Sequence, residues 1–398
     1  MGVEALLAGD GWPLDAGGGP LHFEADDRRL TADRPEQLAA VLSALDDVAE
    51  SGDPDLLAVG FVSYEAGVVL EGSTGLFRPP EGTPLAAFGL FRLGSARRGW
   101  PAAASGSLSF DGRPAPEPSF SLSGWTEGVE GVRAGIARGD VYQVNLTRRT
   151  RFRSAVRPLA LARALHEENP VGWAVTIAAE GWAVVSNSPE LFLDADLTAC
   201  RAASAPIKGT IARGRTEEDD GAAKAALLAS AKDAAEHVMI VDLVRNDLGR
   251  VAEPGGVRVE RLGALRTYRH LHHLESLVAA RLARGTRLSD LLRATLPGGS
   301  ITGAPKRAAL GFIRRVEPCP RGAYTGVAGF VRGDGRAVFN VAIRTAVVHG
   351  GVVDYHAGGG IVWDSEPAAE WAEVETKSRE FLAVVRRGGT VSEGESDR

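Results

Sequence analysis

The sequence predicts an α+β fold, and three observations carry the prediction. Two apolar runs, 173–179 and 182–186, meet at Glu180-Gly181, a two-residue hairpin signal. A second set of runs, 324–331, 336–348 and 352–357, is joined by the short turns Gly333-Asp334-Gly335 and His349-Gly350-Gly351. The helical patterns fall in blocks of their own, whereas a doubly wound parallel sheet would alternate strand and helix.

Taken in order, helical character begins over 35–50 and a strand follows over 57–64 (LAVGFVSY). Residues 95–121 are rich in Pro, Ser, Gly and Ala and predict a linker or long surface loop. Helices are expected over 125–138, 156–168, 217–231, 234–248, 288–295 and 305–315, with a further strand over 191–194. A last helix starts near Ser365, with Glu366 and Pro367 in its first turn, an arrangement suited to an N-cap. The organisation expected is an N-terminal segment over 1–121, a catalytic region over 122–390 and a disordered tail over 391–398.

The 398 residues are 44% hydrophobic and 24% charged, ordinary for a globular protein with a large core. A net charge of −6 argues against nucleic acid as the main partner, so an anionic ligand would need a locally positive site or a metal. Cys200 and Cys319 form no Cys-x-x-Cys pattern, which excludes a zinc ribbon and a disulfide scaffold. The opening residues MGVEALLAGDGW lack the basic region and apolar run of a signal peptide, and no stretch approaches 18 apolar residues. The expected location is cytoplasmic.

Five constellations could carry chemistry. Glu370, Glu373 and Lys377 stand at i, i+3 and i+7 and share one helix face. Two carboxylates and an ammonium there could hold a hard cation and meet a substrate carboxylate, or form a solvated face with an internal ion pair. The helix around Glu236 and Asp242 reads as strongly apolar, so its acids need a partner or a metal. The glycine-rich loop from Leu296 to Lys306 enters a helix and could cradle an anion on backbone N–H groups, although it lacks the Gly-Lys-Ser/Thr of a phosphate-binding loop. Ala357-Gly358-Gly359-Gly360 either lets the backbone approach a ligand or forms a sharp turn. His270, His272 and His273 lack zinc spacing and suit a base or a carboxylate contact better.

Ordered motifs add to this. They run through Gly139 to Thr147, Ser188-Pro189-Glu190, Pro206-Ile207-Lys208-Gly209-Thr210, Glu236-His237, Asp242 to Gly249 and His272-His273. They continue through Gly298 to Lys306, Arg321 to Gly326, Ala342-Ile343-Arg344, Ala357 to Gly360 and the final Glu370/Glu373/Lys377 helix. Together they closely resemble the chorismate-utilising enzymes; residues 1–120 match loosely, chiefly at Gly60 to Glu65. The resemblance implies an antiparallel two-sheet sandwich flanked by helices, with the active site between the sheets. It implies Mg²⁺ held by Glu236, Glu370 and Glu373 against the ring carboxylate of chorismate. It implies substrate contacts from Tyr324, Arg344, Gly358, Gly359, Gly360, Lys377, His273, Thr302 and Gln143.

Two positions bear on the branch of the family. Isochorismate- and salicylate-forming members activate water with a lysine where this chain has Gln143, which carries no basic group. Lys208 resembles the lysine of the aminodeoxychorismate branch, where anthranilate-forming members usually carry alanine. The resemblance implies that Lys208 attacks ring C2 with loss of the C4 hydroxyl, Glu190 acting as general acid, and that ammonia then attacks C4 and expels the lysine. Neither cysteine sits in a Gly-x-Cys-x-Gly nucleophile turn, so a separate glutamine amidotransferase is the expected ammonia source.

Overall fold

Apolar runs broken by glycine turns build two ten-stranded antiparallel sheets, seen in a computed structural model that describes residues 2–14, 19–26, 28–106, 108–110, 116–269 and 271–388. The expected tail over 391–398 and His270 lie outside the described residues.

The N-terminal segment runs Val3–Ala8 (β1), Leu21–Asp26 (β2), Arg29–Ala32 (β3), Leu38–Ala49 (α1), Leu56–Val62 (β4), Tyr64–Leu70 (α2), Ala86–Arg92 (β5), Arg97–Arg98 (β6) and Glu117–Pro118 (β7). The middle of the chain forms Leu122–Ala137 (α3), Gln143–Arg153 (β8), Pro158–Glu168 (α4), Trp173–Ala179 (β9), Trp182–Ser188 (β10) and Leu191–Asp196 (β11). Next come Arg201–Ala205 (β12), Ile207–Ala212 (β13), Glu217–Ala229 (α5), Ala231–Gly249 (α6), Ala252–Thr267 (β14) and Leu271–Leu282 (β15). The last part contributes Leu288–Thr295 (α7), Gly303–Ala304 (β16), Lys306–Val316 (α8), Val327–Arg332 (β17), Arg336–Val341 (β18), Thr345–His349 (β19), Val352–Ile361 (β20) and Pro367–Gly388 (α9).

One sheet has the order β16-β8-β20-β19-β10-β9-β1-β2-β6, with β7 also on β8; the other has β13-β15-β12-β11-β18-β17-β4-β5-β3, with β14 also on β15. The α+β expectation and the β9–β10 hairpin at Glu180-Gly181 are both present, with Trp182 opposite Ala179. The segment over 1–121 does not merely cover a catalytic unit: β1 pairs with β9 in one sheet and β4 pairs with β17 in the other. Its strands complete both sheets, and within 95–121 even β6 and β7 join strands rather than forming a free linker.

Apolar residues from the two sheets interdigitate in the centre. Phe23 on β2, Phe61 on β4, Ile177 on β9 and Phe330 on β17 are fully buried in one cluster. Burying each such side chain contributes about 2–3 kcal/mol. A second cluster fixes α9 across the outer face of β8 and β20, where Phe381 stacks on Tyr355 with ring centroids 4.2 Å apart and meets Phe152 edge-on. That contact sets the height and rotation of the helix bearing Glu370, Glu373 and Lys377.

Three expectations change. The run 336–348 is two strands, β18 and β19, because Arg344 adopts φ 51° and breaks the extension. Gly358 to Gly360 are no turn: they lie extended in β20, paired with Thr147, Leu146 and Asn145 of β8. Helix α6 is not mostly buried, since Asp242 sits exposed with Arg245, whereas Asp247 is buried and held by Lys306 Nζ at 2.7 and 2.8 Å. Burial pushes the Asp247 carboxyl up to about 6 against the pull of that ammonium.

Candidate functional site

A cavity of about 790 Å³ opens between β8 and β20 of one sheet and β13 and β15 of the other, closed at its sides by α6 and α9. Lys208 reaches it from β13. A bulge between Lys208 and Thr210 interrupts the pairing with β15, and Gly209 makes it possible by taking φ 79°. Lys208 Nζ meets Glu236 Oε2 at 2.7 Å, and both side chains are largely buried. The same stretch of β13 supplies Thr210, whose hydroxyl lies 2.7 Å from His273 Nδ1 on β15. Burial, with the Arg344 charge second, pushes His273 down to about 3, so its imidazole is neutral near pH 7.

Glu190 follows the Ser188-Pro189 turn after β10 and is buried in the wall. Desolvation raises its carboxyl to about 7, opposed by the Ser300 hydroxyl donating at 3.2 Å and by the charges of Lys208 and Lys377. A buried carboxyl that stays protonated near neutrality can donate a proton. Tyr324 stacks parallel on His356, with centroids 5.0 Å apart, and burial raises its phenol above the usual range. Arg344 pairs with Glu380 of α9.

On β20, Lys377 Nζ donates to the Gly358 carbonyl at 2.8 Å and pairs with Glu373 at 2.6 Å. A β-carbon at Gly360 would fall 2.2 Å from Gln143 Nε2 and 3.2 Å from Lys208 Nζ. The absent side chain is therefore what gives Lys208 room. Glu370 is buried and accepts from the Ser365 hydroxyl at 2.6 Å.

Most of the sequence-derived residues come together here: Lys208, Glu190, Glu236, Tyr324, Arg344 and His273 line one cavity, as do Gly358, Gly360, Lys377, Glu370 and Glu373. Gln143 and Thr302 stand behind the wall. Gln143 is buried beside Gly360 with its Oε1 unpartnered, and the Thr302 hydroxyl donates to the Gly298 carbonyl at 2.8 Å. The glycine-rich loop is not an open anion cradle: Leu296 to Gly299 and Ile301 to Ala304 are buried, and Lys306 faces Asp247.

The sequence profile of chorismate binding enzymes matches residues 101–383. The chain belongs to the chorismate-binding enzyme family. Anthranilate synthase component 1 of Streptomyces coelicolor is 42% identical over 311 residues, covering 75% of this chain and 60% of that protein. Aminodeoxychorismate synthase component 1 of Bacillus subtilis is 39% identical over 256 residues, covering 64% and 54%. Aminodeoxychorismate synthase of Streptomyces griseus is 37% identical over 321 residues, covering 75% and 44%. The chain thus spans about half the length of these curated relatives.

Two solved structures share the fold of this chorismate-binding enzyme. A 2,3-dihydroxybenzoate-specific isochorismate synthase from Bacillus anthracis superposes with TM-score 0.76 at 21% identity, covering 97% of this chain and 96% of that one. Anthranilate synthase component I from Streptococcus pneumoniae gives 0.72 at 24%, covering 95% and 92%. Among the described residues no helix is long and apolar enough to cross a membrane.

The acids implied for Mg²⁺ suit a hard cation chemically, being carboxylates at the cavity wall. Glu370 Oε2 and Glu373 Oε1 flank one point, since a β-carbon on Gly359 would lie 3.3 and 3.5 Å from them. Glu236 is instead held by Lys208, and among the described residues no three His, Cys, Asp or Glu side chains gather closely enough to ligate one ion. Mg²⁺ binds through one or two carboxylates and completes its shell with water and substrate oxygens, so the α9 pair fits it.

Sequence reasoning passed over Glu380, His356 and Arg321. Glu380 had a signal: it continues the Glu370/Glu373/Lys377 stripe by three residues. His356 had none, because a lone histidine in a strand says nothing about Tyr324, which is 32 positions away in the chain. Arg321 lay inside a quoted motif, but its hydrogen bonds span segments far apart in sequence.

Proposed function

We propose that the chain acts as aminodeoxychorismate synthase component I, converting chorismate and ammonia to 4-amino-4-deoxychorismate for p-aminobenzoate and folate synthesis. The observation that carries this reading is Lys208 Nζ at the β13 bulge, inside the cavity and beside Gly360. Lys208, once it has passed its ammonium proton to Glu236, is the nucleophile toward ring C2. As the C2–N bond forms and the ring double bond shifts, Glu190, protonated up to about pH 7, gives the proton with which the C4 hydroxyl departs as water. Gln143 supplies no base for water attack, which speaks against isochorismate formation. Tyr324, Arg344, Lys377 and the β20 backbone orient the substrate carboxylates. Glu370 and Glu373 would hold Mg²⁺, which would neutralise the ring carboxylate when bound. Ammonia would come from a glutamine amidotransferase unit, because Cys200 and Cys319 lack a nucleophile context.

A second reading, anthranilate synthase component I, is favoured by the 42% identity to the Streptomyces coelicolor protein. Purified protein with chorismate, Mg²⁺ and ammonium, followed by mass spectrometry and NMR of the product, separates them. An amine at C4 with the enolpyruvyl group retained is the expected result; anthranilate plus pyruvate selects the second reading. Absence of turnover moves the chain to a non-catalytic, chorismate-binding regulatory role.

A further inference from the structure

Two residues beside the cavity adopt left-handed backbone conformations although both carry a β-carbon: Thr325 has φ 60° and Arg344 has φ 51°. For a β-branched residue this is a genuine outlier. Such conformations persist only where the surroundings over-determine them, and they gather at ligand clamps and active sites. The two segments are joined: Thr325 N donates to the Ala342 carbonyl at 2.8 Å, and Ala342 N donates to the Gly326 carbonyl at 2.9 Å. Tyr324, immediately before one kink, and Arg344, at the other, both line the cavity.

The forces holding Thr325 are specific. Its hydroxyl donates to the Tyr324 carbonyl at 2.6 Å and accepts from Arg321 Nη1 at 3.3 Å. Arg321 is 2% exposed. Its guanidinium also donates to the Ile301 and Asn145 carbonyls at 2.8 and 2.9 Å, and to both oxygens of Glu317 at 2.7 and 2.9 Å. Asn145, Ile301 and Tyr324 are all cavity wall. One guanidinium therefore ties three separate stretches of wall together. Glu65 grips the same loop from behind, accepting from the backbone N–H groups of Arg321 and Gly322 at 2.8 and 2.9 Å.

We propose that Thr325, clamped by Arg321, is a positioning residue that holds the Tyr324 phenol and the Arg344 guanidinium preset for a substrate carboxylate. The backbone strain at Thr325 is the cost of that preset geometry, and it removes the need to order these groups when substrate arrives. The identity of the substrate as chorismate rests on the proposed function; the clamp itself rests on the geometry above.

The test separates affinity from stability. Thr325→Gly relieves the left-handed strain and deletes the hydroxyl, whereas Thr325→Ser keeps the hydroxyl on a less crowded side chain. Equilibrium binding of chorismate is measured with Mg²⁺ and without ammonium, alongside the melting temperature of each full-length variant. The expected result is a Thr325→Gly protein that melts at or above wild type yet binds chorismate about tenfold more weakly, a loss typical of one hydrogen-bond arrangement. Thr325→Ser is expected to stay within about threefold of wild type. Wild-type binding that Thr325→Gly leaves unchanged overturns the clamp alone. So does an affinity loss that tracks a lowered melting temperature and that Ser does not rescue. A wild-type protein that does not bind chorismate overturns the functional reading and, with it, the role assigned to the clamp.

Discussion

Lys208 and Glu190 are the residues on which the proposed chemistry turns, and each makes its own prediction. Lys208→Ala removes the nucleophile while leaving the β13 bulge at Gly209 intact. Ammonium-dependent amination at C4 is expected to fall by roughly 10³-fold or more, read as kcat by product chromatography. Full retention of that activity would sink the covalent step. Glu190 is buried with its carboxyl raised from an ordinary 4.5 to about 7. Below pH 4.5 the folded and unfolded states are both protonated, so burial costs nothing through this group. Between 4.5 and about 7 the folded state holds more protons, and stability falls as pH rises; above 7 the penalty is complete. Glu190→Gln is therefore expected to be more stable than wild type at pH 8, by on the order of 3 kcal/mol, and to match it near pH 4. The same variant should lose activity and the decline in rate above pH 7. Urea melts at the two pH values and a pH–rate profile check both halves.

At the scale of the element, β20 and α9 divide labour. Gly358 and Gly360 lie two apart in one strand yet predict opposite phenotypes. A β-carbon at Gly358 would lie 2.5 Å from the Leu146 carbonyl of β8, backbone that cannot move without breaking the pairing. Gly358→Ala is expected to lose about 1–3 kcal/mol of stability, measured by denaturant unfolding. At Gly360 the obstruction is the end of the Gln143 side chain and Lys208 Nζ, which can yield. Gly360→Ala is expected to keep most of its stability and lose turnover by displacing Lys208. Similar melting and similar kinetics for the two variants would contradict this assignment. Helix α9 carries its stripe further than the sequence motif, through Glu380 to Arg344, so one helix face holds a candidate metal pair and a candidate anion ligand.

For the whole molecule, the interleaved topology has a direct consequence. Strands β1 to β6 occupy one end of both sheets, and Phe23 and Phe61 pack with Phe330 and Ile177 in one core. A chain beginning at residue 122 would expose the edges of β9 and β17 and the apolar surface between them. It is expected to be insoluble or non-cooperative in unfolding, by gel filtration and calorimetry. A truncated chain that folded cooperatively and bound chorismate would show that the N-terminal strands are dispensable.

Much of this protein was legible in the chain. Hairpin turns such as Glu180-Gly181 and helical periods such as that over 288–295 are local, because the residues that determine them are neighbours. The type and order of the motifs placed Lys208, Glu190, Glu236 and the α9 acids in one site before any geometry was known. Three things required the fold. The Lys208–Glu236 ion pair joins β13 to α6, Thr325 N donates to the Ala342 carbonyl and Asn187 N to the Arg344 carbonyl at the two kinks, and the N-terminal strands find partners far along the chain. Each is a contact between residues that sequence spacing does not relate. Its energy comes from burial and pairing that exist only once both sheets have closed on each other. Local propensity and motif determined what the chain could do; tertiary packing decided which side chains face the cavity, which stand behind it, and where the backbone is strained to aim them.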